Sequence, residues 1–361
     1  MGEAIEWITT SHRLAELAAA WDDVLSPSST PFDEHAWFVA WWEAFGGGCD
    51  LCVCAVWRGD RLAAIAPLLR RSAVSLKGLA NEHSPLFRPL AVDEAALRRA
   101  VEAILARDAA ELELFGIPND EPALAALVGE ARRRGVRHVV EAAHVSPIVE
   151  TVESVDAWRA ASKPRWGAPL ERFRRKMTRD HTCRTTLVEV PEELDLTLDR
   201  GFAVEASGWK GREGTAILSV PETGLFYRAV AHAFARRGGL RVSSIELDGE
   251  LVAFDLTILH NNRLHLLKTG FDERFRRLAP GLVMRLSIIE RCFELGVDAH
   301  ELLGDDSEWK RKFSTAERGH VTFRAFAPNL TGTGRYGYRT VARPLLRRAY
   351  HRAKAIRSRQ A

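Results

Sequence analysis

Three strand-like segments follow one another in the second half of the chain with only short turns between them. Residues 241–247, 251–259 and 264–269 are rich in apolar side chains, and Asp248-Gly249 and Asn261-Asn262 separate them. Both residue pairs are typical of two-residue hairpin turns. The sequence therefore predicts an antiparallel meander here, and this meander limits the folds that the chain can adopt.

The same order of elements is predicted twice along the chain. In each half, helices precede antiparallel strands, and a helix and a further strand follow them. The predicted elements of the first half are helices at 11–25, 37–45, 94–106 and 121–134 and strands at 51–57, 62–69 and 112–115. Those of the second half, besides the meander, are helices at 170–179, 191–208, 222–237 and 282–295 and strands at 185–190 and 300–303. The repetition suggests an ancient duplication and predicts a mixed α/β fold with units at 1–150 and 151–328.

The overall charge excludes some function classes. The 361 residues include 51 Lys and Arg against 48 Asp and Glu, so the chain is not a globally basic nucleic-acid-coating protein, and DNA is not an expected partner. No run of about 18 apolar residues occurs, so we expect no membrane span. The acidic first residues lack the pattern of a signal peptide, which makes the cytoplasm the expected location.

Positive charge is concentrated in a C-terminal tail at 329–361. Its last 31 residues contain nine Arg or Lys and no Asp or Glu. Val341, Leu345, Ala349 and Ala353 recur every four residues, which is typical of an amphipathic helix. The tail is interpreted as a terminal helix docked on the body, with weak contact to an anionic membrane surface or to RNA as the alternatives. The sequence does not indicate an oligomeric state.

Cysteine usage indicates a reducing compartment, because five cysteines at scattered positions do not form pairs. Cys49, Cys52 and Cys54 resemble the start of a metal knuckle, but no second Cys or His pair follows at zinc spacing. The segment 50–57 is better interpreted as a buried strand. We therefore expect core thiols and no metal.

The stretch 264–284 carries the clearest chemical signal. A strand is followed by a basic loop with Arg276 and Arg277, then by the small residues Ala279, Pro280 and Gly281 at the start of a helix. The first backbone N–H groups of a helix lack partners within it, and together with the helix dipole they favour an anion. Small residues would let a pyrophosphate approach the backbone. An ordinary strand–turn–helix without a ligand is the alternative.

Glu205 is the first candidate for a general base. It lies on a helical stripe that is otherwise apolar, where a carboxylate is costly to bury unless it is paired or used. Desolvation there would raise its pKa toward neutrality. The alternative is a buried ion pair with Lys210 or Lys268.

Three further candidates lie on or just after the meander. Asp255 belongs to a strand whose other face is wholly apolar, so it should face a cleft, where it binds an amine substrate or makes a structural hydrogen bond. Lys268 ends the last strand and could bind a phosphate or carboxylate, or form an ion pair. Asp272 follows four residues later as a turn cap, a partner of Lys268 or a catalytic group.

Two polar loops complete the set of candidates. Asn81 and His83 lie in a polar cluster before Pro85, as a surface loop or as part of a cleft between the units. Asp306 is predicted to cap a short helix, and Lys310 follows one turn later, where it could contact a coenzyme phosphate or the acceptor.

The loop at 276–281 has the form R-x-x-A-x-G and resembles the coenzyme A pyrophosphate loop of the GNAT acyltransferase superfamily, Q/R-x-x-G-x-G/A, with Ala279 in place of the first Gly. A wider set of motifs occurs in one order at 31–41, 65–68, 206–215, 226–227, 247–254, 268–272, 279–281, 302–306 and 309–310. Together they resemble the CelD/BcsL-type acetyltransferases of cellulose biosynthesis, which are GNAT proteins related to the FemAB-like double-GNAT proteins. The resemblance covers about 7–328. Phe271 stands where that family usually has Tyr, so residue 271 cannot supply a phenolic acid.

The resemblance implies two tandem GNAT-like domains, of which the second binds acyl-CoA and the first shapes the acceptor site. The residues implied in coenzyme binding are Lys268, Thr269, Arg276, Arg277, Ala279, Pro280, Gly281, Leu282 and Lys310. Those implied in substrate binding are Asn81, His83, Trp209, Lys210, Phe226 and Asp306. The candidates for catalysis are Glu205, Asp255, Lys268 and Asp272.

The function implied is transfer of an acyl group, in the first instance from acetyl-CoA, to an amine. The acceptor would be a small molecule or a glycan or peptidyl amine of exopolysaccharide or cell-envelope biosynthesis. Two alternatives remain. One is a FemAB-like transferase that uses aminoacyl-tRNA and grips RNA with the basic segment 170–179 and the tail. The other is a non-catalytic scaffold with a degenerate GNAT fold.

Overall fold

The structure is a computed structural model that describes residues 3–166, 169–343 and 345–346. The strands are β1 Glu3–Ile8, β2 Asp50–Leu51, β3 Val53–Arg58, β4 Arg61–Ala66, β5 Leu68–Ser72, β6 Ser75–Gly78, β7 Leu90–Ala91, β8 Glu111–Pro118, β9 Arg137–Glu150, β10 Cys183–Glu189, β11 Leu240–Leu247, β12 Glu250–His260, β13 Arg263–Phe271, β14 Ala299–Glu301 and β15 Ala316–Phe326. The α-helices are α1 Ser11–Glu16, α2 Ala18–Trp21, α3 His35–Phe45, α4 Glu94–Ala106, α5 Pro122–Arg133, α6 Val155–Trp166, α7 Pro169–Asp180, α8 Leu194–Ser207, α9 Trp209–Arg212, α10 Pro221–Arg236, α11 Pro280–Leu295, α12 Glu308–Arg311 and α13 Leu330–Gly337.

The predicted meander is confirmed as the antiparallel strands β11, β12 and β13. Its turns have the backbone that their residues favour. Asp248 and Gly249 have φ of 53° and 84°, and Asn261 and Asn262 have φ of 45° and 56°. Positive φ at both central residues matches the right-handed twist of the flanking strands, which is why Asn, Asp and Gly occupy these positions.

One sheet of eleven strands runs through both halves of the chain, in the order β10-β11-β12-β13-β14-β9-β15-β8-β6-β5-β2. The halves exchange strands at its centre. The strand β9 of the first half lies between β14 and β15 of the second half, and β15 lies between β9 and β8. A smaller sheet, β1-β3-β4-β7, completes the first half. The two halves therefore form one continuous mixed α/β structure.

The exchanged strands β9 and β15 are absent from the sequence-based prediction, as are β1 and β6. The first nine residues of β9 are partly or largely exposed and mix charged, small and apolar side chains. Their pattern is neither cleanly alternating nor continuously apolar, so it gives no strand signal. The strand forms because β15 pairs with it along eleven register positions.

The core has two main parts. The larger one joins the first half to α8 and α10 through side chains such as Trp37, Phe202 and Phe226. The second surrounds α11, which packs between α7 and the meander. Cys52 and Cys54 lie in the first core, as the buried-strand interpretation predicts.

The helix α11 is defined at both ends by backbone conformation. Ala279 precedes it in the left-handed region, with φ 49° and ψ 49°, and Pro280 occupies its first turn. Proline fits there because its missing N–H has no helical acceptor in any case. Gly296 ends the helix with φ 64°, a left-handed C-terminal geometry that glycine adopts without strain.

No helix in the described part of the chain is long and apolar enough to cross a membrane. In the tail, α13 and a π-helical turn, Tyr338–Ala342, are described. The remainder of the predicted amphipathic helix, including Ala349 and Ala353, lies outside the described residues.

Candidate active site

Two neighbouring parallel strands separate at the centre of the second half. Arg263 to His265 of β13 pair in parallel with Ala299 to Glu301 of β14. Beyond this point β14 ends, while β13 continues to Phe271. The edge of β13 beyond His265 is therefore open on this side, and the opening forms a wedge within the sheet.

Backbone groups of Thr269 and Phe271 face this open edge. The N–H of Asp272 donates to the carbonyl of Val252 on the closed side of β13. Because successive residues of a strand point their backbone groups to opposite sides, Gly270 also faces β12, and Thr269 and Phe271 face away from it. The side chain of Lys210 confirms this direction, since its Nζ lies 2.8 Å from the carbonyl oxygen of Thr269.

A cavity of about 390 Å³ occupies the wedge, and we call it the wedge cavity. It is lined by Glu205, Gly208, Trp209, Lys210, Thr269, Gly270, Phe271, Glu273, Arg276, Ala279, Gly281, Leu282 and Trp309. The structure thus brings the strand end, the predicted pyrophosphate loop and the helix α9 around one space. Of the residues implied in coenzyme binding, Thr269, Arg276, Ala279, Gly281 and Leu282 line it directly.

The first turn of α11 leaves a backbone donor at this cavity. Pro280 has no N–H, and the amides of Leu282 and Val283 both donate to the carbonyl of Ala279. For the amide of Gly281, no backbone acceptor occurs among the described residues. A Cβ built on Gly281 would lie 3.4 Å from the Phe271 ring, so this glycine lies directly against the aromatic wall of the wedge cavity.

Arg276 and Arg277 add positive charge beside the same turn. Both side chains are exposed, and neither has a carboxylate partner within the part of the chain that the structure describes. Their neighbour Arg274 differs, because it pairs with Asp272 and Glu250. Two uncommitted guanidinium groups, an open amide and the helix dipole suit the residues to a phosphate-bearing ligand.

Glu205 lies in the cavity wall as one half of an ion pair. Its Oε1 is 2.9 Å from Nζ of Lys210, and its Oε2 accepts the backbone N–H of Ile217 at 2.9 Å. The carboxylate is almost fully buried. Of the two roles left open by the sequence, the structure shows the ion pair, and it engages both oxygens.

A second, smaller cavity of about 170 Å³ adjoins the first, and we call it the lysine cavity. Its polar lining consists of Glu82, His83, Lys210, Tyr227, Thr269, Lys268 and Lys310. Lys210 and Thr269 belong to both cavities, so the two meet at the open strand edge. Residues of the first half reach the site here, through the loop that contains Glu82 and His83.

Lys268 is partly buried in this cavity. Its Nζ lies 4.8 Å from the centroid of the Tyr227 ring, and it has no carboxylate partner among the described residues. Burial lowers the pKa of Lys268 to about 8, and the positive charge of Lys210 acts in the same direction. The ion pair predicted as one alternative for Lys268 is therefore not formed.

Lys310 lines the same cavity from the other side. Its Nζ donates to the carbonyls of Leu303 and Asp305. Burial lowers its pKa to about 8, with a further contribution from the nearby Arg285. Lys310 thus lines the lysine cavity. It does not line the wedge cavity, which is where a residue in contact with the coenzyme would be expected.

His83 is held firmly in the cavity wall. Its ring stacks on Phe45, and its nitrogens lie 3.3 Å from the hydroxyls of Thr223 and Tyr227. Burial lowers the pKa of His83 to about 4. Asn81 supports this loop by accepting the backbone N–H of His83, but it does not line the cavity.

Four predicted site residues have structural roles instead. Asp255 is fully buried and pairs with Arg285 of α11, so it faces packed helix and not a cleft. Arg285 also contacts His300 of β14. Asp272 accepts the backbone N–H of Arg274 and pairs with its side chain, which is the turn-cap role among the predicted alternatives.

Phe226 and Asp306 also lie away from the two cavities. Phe226 is fully buried against Trp37 and Phe45, which corrects its assignment to substrate binding. Asp306 pairs with Arg311, and the N-cap of α12 is Ser307, so the predicted capping by Asp306 is wrong. Neither residue is among those that line the lysine or the wedge cavity.

Sequence reasoning missed several residues of the site. Tyr227 follows Phe226 on α10, and the pattern of an apolar helix does not show which of two adjacent aromatics faces a cavity. Glu82, between Asn81 and His83, was not predicted as a site residue. Its charge within a polar loop could have indicated that it faces a cavity. Trp309 lies in the family-like segment 309–310, but its residue type alone does not indicate that it lines the wedge cavity.

A larger cavity of about 960 Å³ is lined entirely by residues of the first half. Its Arg88 is neutralised by Asp33 and Glu121, both at 2.9 Å or less. No predicted site residue lines it. Among the described residues, no cluster of three or more His, Cys, Asp or Glu is arranged to hold a metal ion.

The sequence family described as acetyltransferase (GNAT) domain matches residues 168–311, so the second half carries a GNAT-fold acetyltransferase domain. FemX is similar in structure, with a TM-score of 0.57 and 11% identity, over 91% of this chain and 98% of FemX. A C-terminal domain assigned to a lysylphosphatidylglycerol synthetase of Agrobacterium fabrum gives a TM-score of 0.54 and 13% identity, over 89% and 95% of the two chains. No curated protein matches the sequence. These likenesses show that the whole chain shares the fold of those structures, and the family model places a GNAT domain in its second half.

Proposed function

We propose that the protein transfers an acyl group from an acyl-coenzyme A, most simply acetyl-CoA, to an amine. The observation that carries the proposal is the wedge between β13 and β14, which opens onto the first turn of α11. An acyl thioester inserted there would lie against the exposed backbone of Thr269, while its phosphates would reach the helix start.

The residues present fit such a donor. Arg276, Arg277 and the amide of Gly281 would hold the phosphates, because all three lack protein partners in the described structure. The Thr269 amide points to the open edge of β13, where it could donate to the carbonyl oxygen as negative charge develops on it. Acyl-coenzyme A would supply a thioester carbonyl, which forms a bond to the amine nitrogen as the bond to sulfur breaks.

The acceptor amine would enter through the lysine cavity. Glu205 is engaged with Lys210 and with the amide of Ile217, so it is poorly placed to take the proton of the amine. Glu82 is an exposed carboxylate at the same cavity, and no partner for it occurs among the described residues. We assign proton removal to Glu82, and acceptor shaping to the first-half loop that carries it.

The resemblance to CelD/BcsL-type proteins favours acceptors from exopolysaccharide or cell-envelope biosynthesis, either free small amines or glycan and peptidyl amines. These acceptors are the compounds to screen first. The second half of the chain would bind the donor, and the first half would contribute one wall of the acceptor site.

Direct binding measurements test the donor. Calorimetry with coenzyme A and acetyl-CoA should show one site per chain, and Arg276→Ala with Arg277→Ala together should weaken it at least about tenfold, or about 1.4 kcal/mol. Arg274→Ala is the matched control, since its guanidinium is committed to Asp272 and Glu250. Absence of any coenzyme binding by the folded protein would refute the proposal.

An aminoacyl-tRNA donor is the second candidate, because FemX and the lysylphosphatidylglycerol synthetase domain share this fold. The basic helix α7 gives it limited support. Arg174 pairs with Glu171 and Glu290, and Lys176 and Arg179 pair with Asp180, so much of its charge is neutralised within the protein. Binding of tRNA that weakens steeply with salt would favour this candidate over acyl-CoA.

A further inference from the structure

Three lysine side chains line one cavity of only about 170 Å³. Lys210 enters from α9, Lys268 from β13 and Lys310 from α12, so the cluster is built by three separate elements. Like charges in a confined space repel one another, and partial burial weakens the screening by water. Such an arrangement is costly unless counter-charge is present.

The protein itself supplies only part of that counter-charge. Lys210 is paired with Glu205, and Lys310 is held by two backbone carbonyls, which carry no net charge. Lys268 contacts the face of the Tyr227 ring, and for this ammonium no anionic partner occurs in the described structure. Glu82 is the remaining carboxylate at the cavity, and it is exposed to solvent.

The surroundings of Lys268 are also preorganised. Tyr227 is held through its hydroxyl by His83, and His83 is fixed by stacking on Phe45. His83 has a pKa of about 4, so it is neutral near pH 7 and adds no further positive charge. The cavity therefore presents ammonium groups and neutral hydrogen-bonding groups on rigid elements, which is the character of an oxyanion-binding site.

We infer that the acceptor carries a small oxyanion, a carboxylate or a phosphate, which Lys268 binds with support from Lys310. This inference rests on the proposed function, because only that function makes the bound ligand the acceptor of the acyl group. Because the lysine cavity is small and meets the wedge cavity at Thr269, the oxyanion and the reacting amine are separated by only a few bonds. The acceptor class is thus an amino acid or a short phosphorylated amine, in preference to a neutral amine.

Anion binding can be measured without any acyl transfer. We expect calorimetry or competition to detect sulfate, as a probe of phosphate geometry, or acetate, as a probe of a carboxylate. Lys268→Met should weaken the preferred anion at least tenfold, and Lys268→Arg should recover most of the affinity. Lys176→Met is the matched control, because Lys176 lies on α7 and pairs with Asp180.

The pH dependence provides a second readout. The pKa of Lys268 near 8 means that its charge is present at pH 7 and is lost as the pH rises above 8. Sulfate keeps its charge over this range, so its affinity should fall between pH 7 and 9.5. Lys268→Arg should make that fall smaller, and Lys310, whose pKa is also lowered to about 8, should keep the remainder. Equal sulfate and acetate binding by wild type and Lys268→Met would overturn the inference.

Matched acceptors then identify the source of the oxyanion. We expect β-alanine to be acylated at least tenfold more efficiently than β-alaninamide if a carboxylate is bound, or O-phosphoethanolamine than ethanolamine if a phosphate is bound. Preference for the neutral member of both pairs would overturn the inference while leaving the acyltransferase proposal intact. Loss of coenzyme binding, in contrast, would refute the proposed function without affecting the anion measurements.

Discussion

Lys210 and Glu205 form an ion pair at 2.9 Å in the wall between the two cavities, five residues apart across the end of α8. The same ammonium also donates to the Thr269 carbonyl at 2.8 Å. The pair thus ties α8 and α9 to the open edge of β13. Glu205 is buried, as expected of a general base. Both of its carboxylate oxygens are nevertheless engaged, one with Lys210 and the other with the backbone N–H of Ile217.

Glu205→Gln should therefore damage stability more than turnover. The glutamine amide has only one oxygen, so its NH₂ group must face one of the two donors, Lys210 or the Ile217 N–H, and leave that donor without an acceptor. We therefore expect a loss of about 1–3 kcal/mol in the free energy of unfolding. Turnover with a saturating amine should stay within a few-fold of wild type. Urea unfolding and steady-state rates on the same preparation check both effects. A stable variant with turnover reduced about 10²-fold would instead make Glu205 the base.

Glu82→Gln should give the opposite result. The side chain is exposed and has no described partner, so the free energy of unfolding should change by less than about 0.5 kcal/mol. If Glu82 accepts the amine proton, turnover should fall by about 10²-fold while coenzyme affinity is unchanged. Stopped assays across pH 6–9 with both variants separate the two carboxylates. Full activity of Glu82→Gln would leave water as the acceptor of the proton.

Gly281→Val should block the approach of a pyrophosphate to the start of α11. The first added carbon fits beside Phe271 at 3.4 Å, so the fold should survive, but the branched side chain covers the open amide. We expect coenzyme affinity to fall at least about tenfold, or about 1.4 kcal/mol. Gly129→Val in α5 is the control, because a side chain there meets open space. Unchanged calorimetric binding by Gly281→Val would remove this loop from the site.

Elements with local signals in the sequence were predicted, and elements stabilised by distant partners were not. The meander and α11 were predicted because turn residues and apolar spacing lie within a few positions of one another. The strands β9 and β15 were missed because they pair with each other across more than 160 residues of the chain. The hydrophobic pattern within one segment does not show which distant strand it pairs with, so it cannot reveal that the halves exchange strands.

The site shows the same division. Thr269, Arg276 and Gly281 were found because they lie in one short stretch, 264–284, whose strand, basic loop and helix start can be recognised from the sequence. Tyr227 was missed in favour of Phe226, since the choice between two adjacent aromatics depends on how α10 is rotated against the first half. Arg285 was not considered because an arginine on an amphipathic helix is normally exposed, whereas here it is buried against Asp255.

Asp255→Ala should be among the most destabilising substitutions in the second half. The change leaves the buried guanidinium of Arg285 without its carboxylate, and breaking a buried pair on one side costs about 3–5 kcal/mol. We expect a large fall in the urea midpoint, and Asp255→Ala with Arg285→Met should recover part of it. A double variant less stable than Asp255→Ala alone would contradict the ion-pair explanation. A loss below about 1 kcal/mol for the single variant would do so as well.

The exchanged strands should make the protein sensitive to acid. His144 of β9 and His320 of β15 are register partners whose rings stack with centroids 4.3 Å apart. Burial lowers both pKa values, that of His320 to about 4. In the unfolded chain a histidine titrates near 6.5. Between these values the unfolded state binds the proton more readily, so stability falls as the pH falls, by up to about 1.4 kcal/mol per pH unit for His320.

His320→Gln should remove this contribution, because a glutamine does not titrate. We expect the free energy of unfolding in urea to decline less steeply between pH 6.5 and 4.5 in the variant than in wild type. Other buried histidines remain in the variant, among them His300, whose pKa is lowered to about 3. They should account for the pH dependence of the free energy of unfolding that is left. His12→Gln on the exposed face of α1 is the control and should follow wild type. If His320→Gln kept the full wild-type slope, the stacked pair would not be a source of the acid sensitivity, and the strand exchange would be stable to protonation at this point.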